Sequence, residues 1–166
     1  GVLFALTEDE AEKLYKLEGS ERVDFVLSDI EDNYFENNPA CTCETDKAWD
    51  AIHRSMTDGY LQWENGEYPL NHVSLGGEVL YGNVEGEEDF IIVYKDYDQV
   101  RDVAKALAEF SDDDFKKGYA KIDIDDYEYQ LGFEDLEYTL NWFKEVKSFW
   151  RKAAENDMAI IFTCAI

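Results

Sequence analysis

Three stretches of the chain are apolar at nearly every position: Val2–Leu6, Phe90–Tyr94 and Ala159–Ile166. Runs this short and this rich in β-branched and aromatic residues predict strands buried on both faces. The segments between them change to a helical period. Thr7-Glu8-Asp9-Glu10 has the form of a capping box, with acids at the positive helix end, and predicts a helix to about Leu17 that stops at Gly19. Ser20 caps a second helix, whose broad apolar side comprises Val23, Phe25, Val26, Leu27, Ile30 and Tyr34 and which Asn37-Asn38-Pro39 breaks.

A loop with Cys41 and Cys43 then leads to a third helix, capped by Thr45 or Asp46 and closed near Gly59. Trp49, Ile52, His53 and Met56 fall at i, i+3, i+4 and i+7, so they share its inner face. Lys47, Asp50 and Arg54 lie off that face, and Asp50 with Arg54 reads as a weak surface pair. Asn65-Gly66 suits a two-residue hairpin turn, because both residues tolerate positive φ. Pro69 to Gly77 reads as one helical turn ended by glycines, and Glu78 to Tyr81 as a short strand.

The later chain repeats the alternation. Asp96 caps a helix with Val100, Val103, Ala104 and Leu107 inside, and Ser111 opens a shorter one ended by Gly118. In Tyr119 to Ile124 the alternating pattern predicts a strand covered on one face, near a sheet edge. Phe133 to Glu155 is the longest helix, about 34 Å at 1.5 Å per residue. Its adjacent stripes are Leu136, Leu140, Phe143 and Trp150, and Trp142, Val146, Phe149 and Ala153. Strands alternating with amphipathic helices predict a single α/β domain over residues 1–166, with a mixed sheet sandwiched by helices.

Composition adds the unusual feature, which is charge. Among 166 residues, 39 acids stand against 15 basic residues, for a formal net charge of -24. Such a chain repels nucleic acid and anionic membrane, and favours a basic partner or solubility alone. No apolar run approaches the roughly 20 residues of a membrane-spanning helix. Cys41, Cys43 and Cys164 make an odd count without framework spacing, and the first residues show no basic region followed by a long apolar stretch. Free thiols in a reducing cytoplasm are the expectation.

The chemistry-bearing residues are few. His53 on an apolar helix face is either a neutral core histidine with one nitrogen hydrogen-bonded, or the wall of a pocket. Cys41, Cys43, His53 and His72 are zinc-ligand types, but C-x-C, then nine residues, then His fits no closed zinc pattern, so free thiols are expected. The stretch from Asp123 to Glu134 imitates a calcium loop and fails at Tyr127 and Glu128, where a ligand and a glycine are required. The acid runs Glu85 to Asp89 and Asp112 to Asp114 read as solvated loop and helix start. Neither a phosphate-binding glycine loop nor a nucleophile elbow is present. No catalytic residue, metal ligand or cofactor is therefore assigned.

Asp46-Lys47-x-Trp49-Asp50-x-x-His53, Pro69-Leu70-x-x-x-x-Leu75-Gly76, the acidic opening after the first strand, and the long helix leading into a hydrophobic last strand resemble the YfbM-like proteins. The order of elements is similar over nearly the whole chain. The resemblance implies a compact single-domain α/β fold in a bacterial cytoplasmic protein, and it carries no activity or catalytic residues. The chain departs from the family in its acid load and in the insertion-like region from Tyr60 to Tyr68.

Two functions follow as expectations. One is a non-enzymatic protein whose acidic face engages a basic protein, as an inhibitor or immunity-type factor. The other is an enzyme or small-molecule binder with a pocket lined by Trp49, His53, Trp63, His72 and Tyr94, which requires both histidines to converge on one concavity.

Overall fold

The computed structural model describes residues 1–63, 65–82 and 89–165. Strand β1 (Val2–Leu6) is followed by α1 (Glu8–Lys16), α2 (Ser20–Phe25) and α3 (Asp32–Asn37), with one π-helical stretch, Val26–Glu31, joining α2 to α3. Then come β2 (Thr42–Glu44), α4 (Ala48–Met56), a 3-10 turn at Leu70–Val73, β3 (Glu78–Tyr81) and β4 (Phe90–Lys95). Helices α5 (Tyr97–Glu109), α6 (Asp112–Tyr119) and α7 (Phe133–Glu155) lead to β5 (Ala159–Ala165).

The expected α/β domain, with its long last helix and buried final strand, is what the chain forms. The five strands lie in the order β2-β1-β5-β4-β3. The three apolar strands are thus interior, and the two short ones guard the edges. Helices α1 to α3 cover one face around Phe4, Leu6, Ile92 and Ile161. The other face, with Leu3, Ile160 and Phe162, is covered by α4 to α7 around Phe143 and Trp150.

Among the described strands every pairing is antiparallel, so one direction replaces the expected mixture. The reason is visible between β4 and β5. Lys95 pairs with Ile160, so the end of β4 lies beside the start of β5. Arg101 near the start of α5 reaches Asp157 just beyond α7 at 3.5 Å, while Phe110 beyond the other end of α5 meets Phe143 in the middle of α7. The two helices form an antiparallel hairpin and return the chain to the end it left. Helices on both faces, rather than parallel pairing, account for the continuous apolar runs.

Capping chemistry fixes three helix starts as expected: Thr7 with Glu10, Asp96 with Gln99, and Ser111 with Asp114 are reciprocal capping boxes. Elsewhere tertiary contacts override local signals. Residue 20 lies inside α2, whose cap is Gly19, and α4 starts after Lys47 because the Thr45 hydroxyl donates instead to the Gly1 carbonyl. The loop expected around Cys43 pairs with β1 as strand β2. Tyr119 to Ile124 forms no strand: the chain turns there, Ile122 is buried, and Ile124 is 70% exposed. Gly118 does not end α6, which continues through Tyr119; a Cβ at Gly118 would collide with the Ser55 carbonyl of α4, so the glycine serves close helix approach.

Candidate functional site

Helix α4 carries a polar cluster into the core. His53 is 1% exposed, and its Nε2 donates to the Gln62 carbonyl and to Asn65 Oδ1, both at 3.0 Å. Its Nδ1 is buried and has no hydrogen-bond partner among the described residues. Burial pushes its pKa below the ordinary value, against the hydrogen bonds to Asn65 and Gln62, which pull it up. The ring is therefore held neutral, protonated on Nε2.

Asn65 organises the segment around it. Its amide nitrogen donates to Thr57 Oγ1 at 3.2 Å, Asp58 Oδ1 at 2.6 Å and the Tyr60 carbonyl at 2.9 Å. Gly66 takes the expected positive φ of 76°, and the described residues on either side, Gln62, Trp63, Glu67 and Tyr68, form no strand. Glu64, part of that expected hairpin, lies outside the described residues, as does most of the acid run from Glu85.

Beside this cluster lies a residue that sequence reasoning missed. Lys95, at the end of β4, is 0% exposed, and its ammonium donates to the Ser74 carbonyl and sits 5.5 Å from the centre of the Phe162 ring. Burial holds its pKa well below the usual lysine range. Burial lowers the pKa of His72 as it does that of His53, and Lys95 adds to the depression of both. The signal lay in strand alternation: Ile91, Val93 and Lys95 share one face, although the apolar run stops at Tyr94.

The five expected pocket residues divide. Trp49 packs on Phe162 at 5.6 Å and, with Trp63, borders the α4 side of the core. His72 is half-buried, with Nδ1 hydrogen-bonded to Asn71 Oδ1 at 2.8 Å and Tyr68 edge-on at 4.9 Å. Tyr94 faces the opposite side of the sheet, where its ring meets Tyr15 at 5.2 Å. Alternation along β4 separates Tyr94 from Lys95 and from both histidines.

The expected surface pair Asp50–Arg54 is also corrected. Arg54 is 2% exposed; its Nε binds Asp50, while its two terminal nitrogens bind Asp126 Oδ2 at 2.6 Å and the Asp126 carbonyl at 3.1 Å. The loop from 120 to 131 and helix α6 cover this side of α4, and the Tyr127 ring lies 5.6 Å from the guanidinium.

That loop borders an open cleft of about 530 Å³ at the start of α7, lined by residues 130–135 and Tyr138. Asp135 is fixed there by the hydroxyls of Tyr119 and Tyr127. Phe133 is 75% exposed. From residue 122 to 143 the chain has no Lys or Arg, while Asp123, Asp125, Asp126, Glu128, Glu134, Asp135 and Glu137 are acidic. The segment is anionic with the exposed Phe133 in its midst, and the Lys47 ammonium lies beside it, 5.3 Å from the centre of the Tyr129 ring. Neither histidine lines this cleft.

The thiols of Cys41, Cys43 and Cys164 are free. Burial pushes Cys43 up to about 12, which opposes thiolate formation. Among the described residues no group of three His, Cys, Asp or Glu side chains is placed to hold a metal ion, and no helix is long and apolar enough to cross a membrane.

Fold and site together define an acidic α/β protein with an antiparallel five-stranded sheet, a sealed polar core and an anionic, partly apolar cleft. The family model described as a domain of unknown function, DUF1877, matches residues 1–163, and the chain belongs to that family. The crystal structure of a protein of unknown function, YfbM from Escherichia coli, has the same fold: the TM-score is 0.67 at 15% identity, over 99% of this chain and 98% of that one. No curated protein matches the sequence.

Proposed function

We propose that the protein is a non-enzymatic acidic binding protein that engages a basic protein partner, of inhibitor or immunity type, through the cleft at the start of α7. One observation carries this reading: Phe133, largely exposed, lines the cleft with Glu134 and Asp135, in a segment that holds seven acids and no basic residue between positions 122 and 143. Such a patch offers an apolar anchor for affinity and a field that steers a cationic partner. Glu134 and Asp135 also offset the positive end of α7. We further infer a cytoplasmic setting, supported by the three free thiols.

The alternative, an enzyme or small-molecule binder with a pocket around His53 and His72, draws on the Lys95 cluster. The burial of His53 and Lys95 favours the binding reading.

A peptide of alternating arginine and leucine, titrated against the protein by calorimetry, tests the proposal. Binding should weaken steeply between about 0.05 and about 0.5 M salt, because surface charges are screened over shorter distances as salt rises. Phe133→Ser should weaken it, as should Glu134→Lys with Glu137→Lys. Affinity indifferent to salt and to these substitutions overturns the reading.

A further inference from the structure

On the opposite face of the sheet from the Lys95 cluster, α1, β4 and the start of α5 border an open cleft of about 250 Å³ lined by Glu8, Ala11, Glu12, Tyr15, Tyr94 and Tyr97. Its walls are aromatic. Tyr15 and Tyr94 stand nearly perpendicular, at 78°, with ring centres 5.2 Å apart, and Tyr97 adds a further ring. The two rings touch edge to face and make a corner, and the small side chain of Ala11 leaves room beside that corner. Charge in and around the cleft is negative: Glu8 and Glu12 line it, Asp96 adjoins Tyr97, and Glu78 accepts a hydrogen bond from the Tyr15 hydroxyl. Lys16 pairs with Glu12 at 3.2 Å where both side chains are exposed, and the Arg22 guanidinium is tied to the Leu80 and Tyr15 carbonyls.

We propose that this tyrosine-walled cleft binds an alkylated ammonium cation, a head group of the trimethylammonium type. Aromatic faces attract cations through the ring quadrupole, and several rings around one charge form the arrangement used for quaternary ammonium ligands. A trimethylammonium group has no N–H to satisfy and loses less hydration than a primary ammonium, so the cleft selects it over lysine-like amines. The volume lies below that of drug-sized pockets, which suits a head group rather than a large ligand. The carboxylates discriminate further: a zwitterion bearing its own carboxylate meets Glu8 and Glu12 unfavourably, whereas choline does not. The three phenols stay neutral at neutral pH. The hydrogen bond to Glu78 and burial push Tyr15 up to about 12, burial first and then Tyr97 push Tyr94 up to about 12, and burial followed by Glu8 and Glu12 raises Tyr97. This site goes beyond the proposed protein-binding role and lies across the sheet from the cleft at α7.

Titration of the full chain with choline, tetramethylammonium, betaine and ethanolamine, followed by amide NMR, tests the assignment. Choline and tetramethylammonium should give saturable shifts at Ala11, Tyr15 and Tyr97, with betaine and ethanolamine roughly tenfold weaker. Tyr97→Leu should weaken choline binding by about tenfold, while Tyr97→Phe, which keeps the ring face, should stay within about twofold. Both changes are at a partly exposed residue, and unchanged amide spectra elsewhere will show that the fold persists. A trimethyl-lysine peptide serves as a separate arm: binding tighter than choline assigns the head group to a modified protein, and weaker binding assigns it to a free cation. No saturable shift with any of the alkylated cations, equal binding of betaine, or full retention in Tyr97→Leu overturns the proposal.

Discussion

Arg54 and Asp126 are 72 residues apart in the chain, yet a guanidinium nitrogen of Arg54 donates to the Asp126 carboxylate at 2.6 Å and clamps the loop before α7 onto α4. Asp50, one turn back on α4, accepts from the same guanidinium, so one buried cation is shared by two carboxylates. Removal of the cation leaves Asp50 buried without its counter-charge. Arg54→Ala should cost about 3–5 kcal/mol, the range for breaking a buried pair, and equilibrium urea unfolding checks it. A loss below about 1 kcal/mol would show that the cluster is solvated like a surface pair.

Lys95 and His53 make stability depend on pH in one direction. Burial lowers both pKa values, from 10.5 for Lys95 and from 6.5 for His53. The unfolded chain then binds protons that the folded chain does not, so stability rises with pH between each folded value and its unfolded value. The His53 contribution is complete above 6.5 and is lost as pH falls below it, while that of Lys95 keeps rising up to 10.5. After burial, the charges of Lys95 and Arg54 also lower His53, and Asp96 pulls His72 up against burial and Lys95. Lys95→Met should remove the alkaline rise and stabilise the fold at neutral pH by about 1–3 kcal/mol, the scale for a buried polar group short of partners. Urea melts from about pH 5 to about pH 10 decide the matter, and a less stable Lys95→Met protein refutes the account.

His53 holds the loop that follows α4 through Asn65. Asn65→Ala removes an acceptor of His53 and the donors to Thr57, Asp58 and Tyr60. The expected loss is about 2 kcal/mol, with faster hydrogen exchange in the segment after Thr57 than in α7. His53→Gln should lower the melting temperature and flatten the acid limb of the stability profile.

Gly118 lets α6 lie against α4. Any side chain there meets the Ser55 carbonyl, a backbone atom that cannot swing away. Gly118→Ala should destabilise by about 3 kcal/mol, although alanine is the better helix former in isolation. Thermal unfolding measures the sign directly.

Local chemistry made much of this protein legible from its sequence. The three interior strands announce themselves as apolar runs, and Thr7, Asp96 and Ser111 mark helix starts because a capping box involves residues only three apart. The Phe133–Glu155 helix follows from periodicity over 23 residues. What the tertiary structure decided depends on partners distant in the chain. The pairing direction follows from the α5–α7 hairpin, and β2 exists only because β1 offers an edge. Asp50 and Arg54 look like surface charges until α6 and the loop with Asp126 cover them. Lys95 looks like the polar end of a strand until Phe162 and Ser74 close over it. Tyr94 shares a sequence neighbourhood with Lys95 but not a face of the sheet, so the single expected pocket becomes a sealed polar core on one side and a tyrosine cleft on the other. Sequence spacing specifies period and caps; burial of a charge depends on which distant surface arrives to cover it.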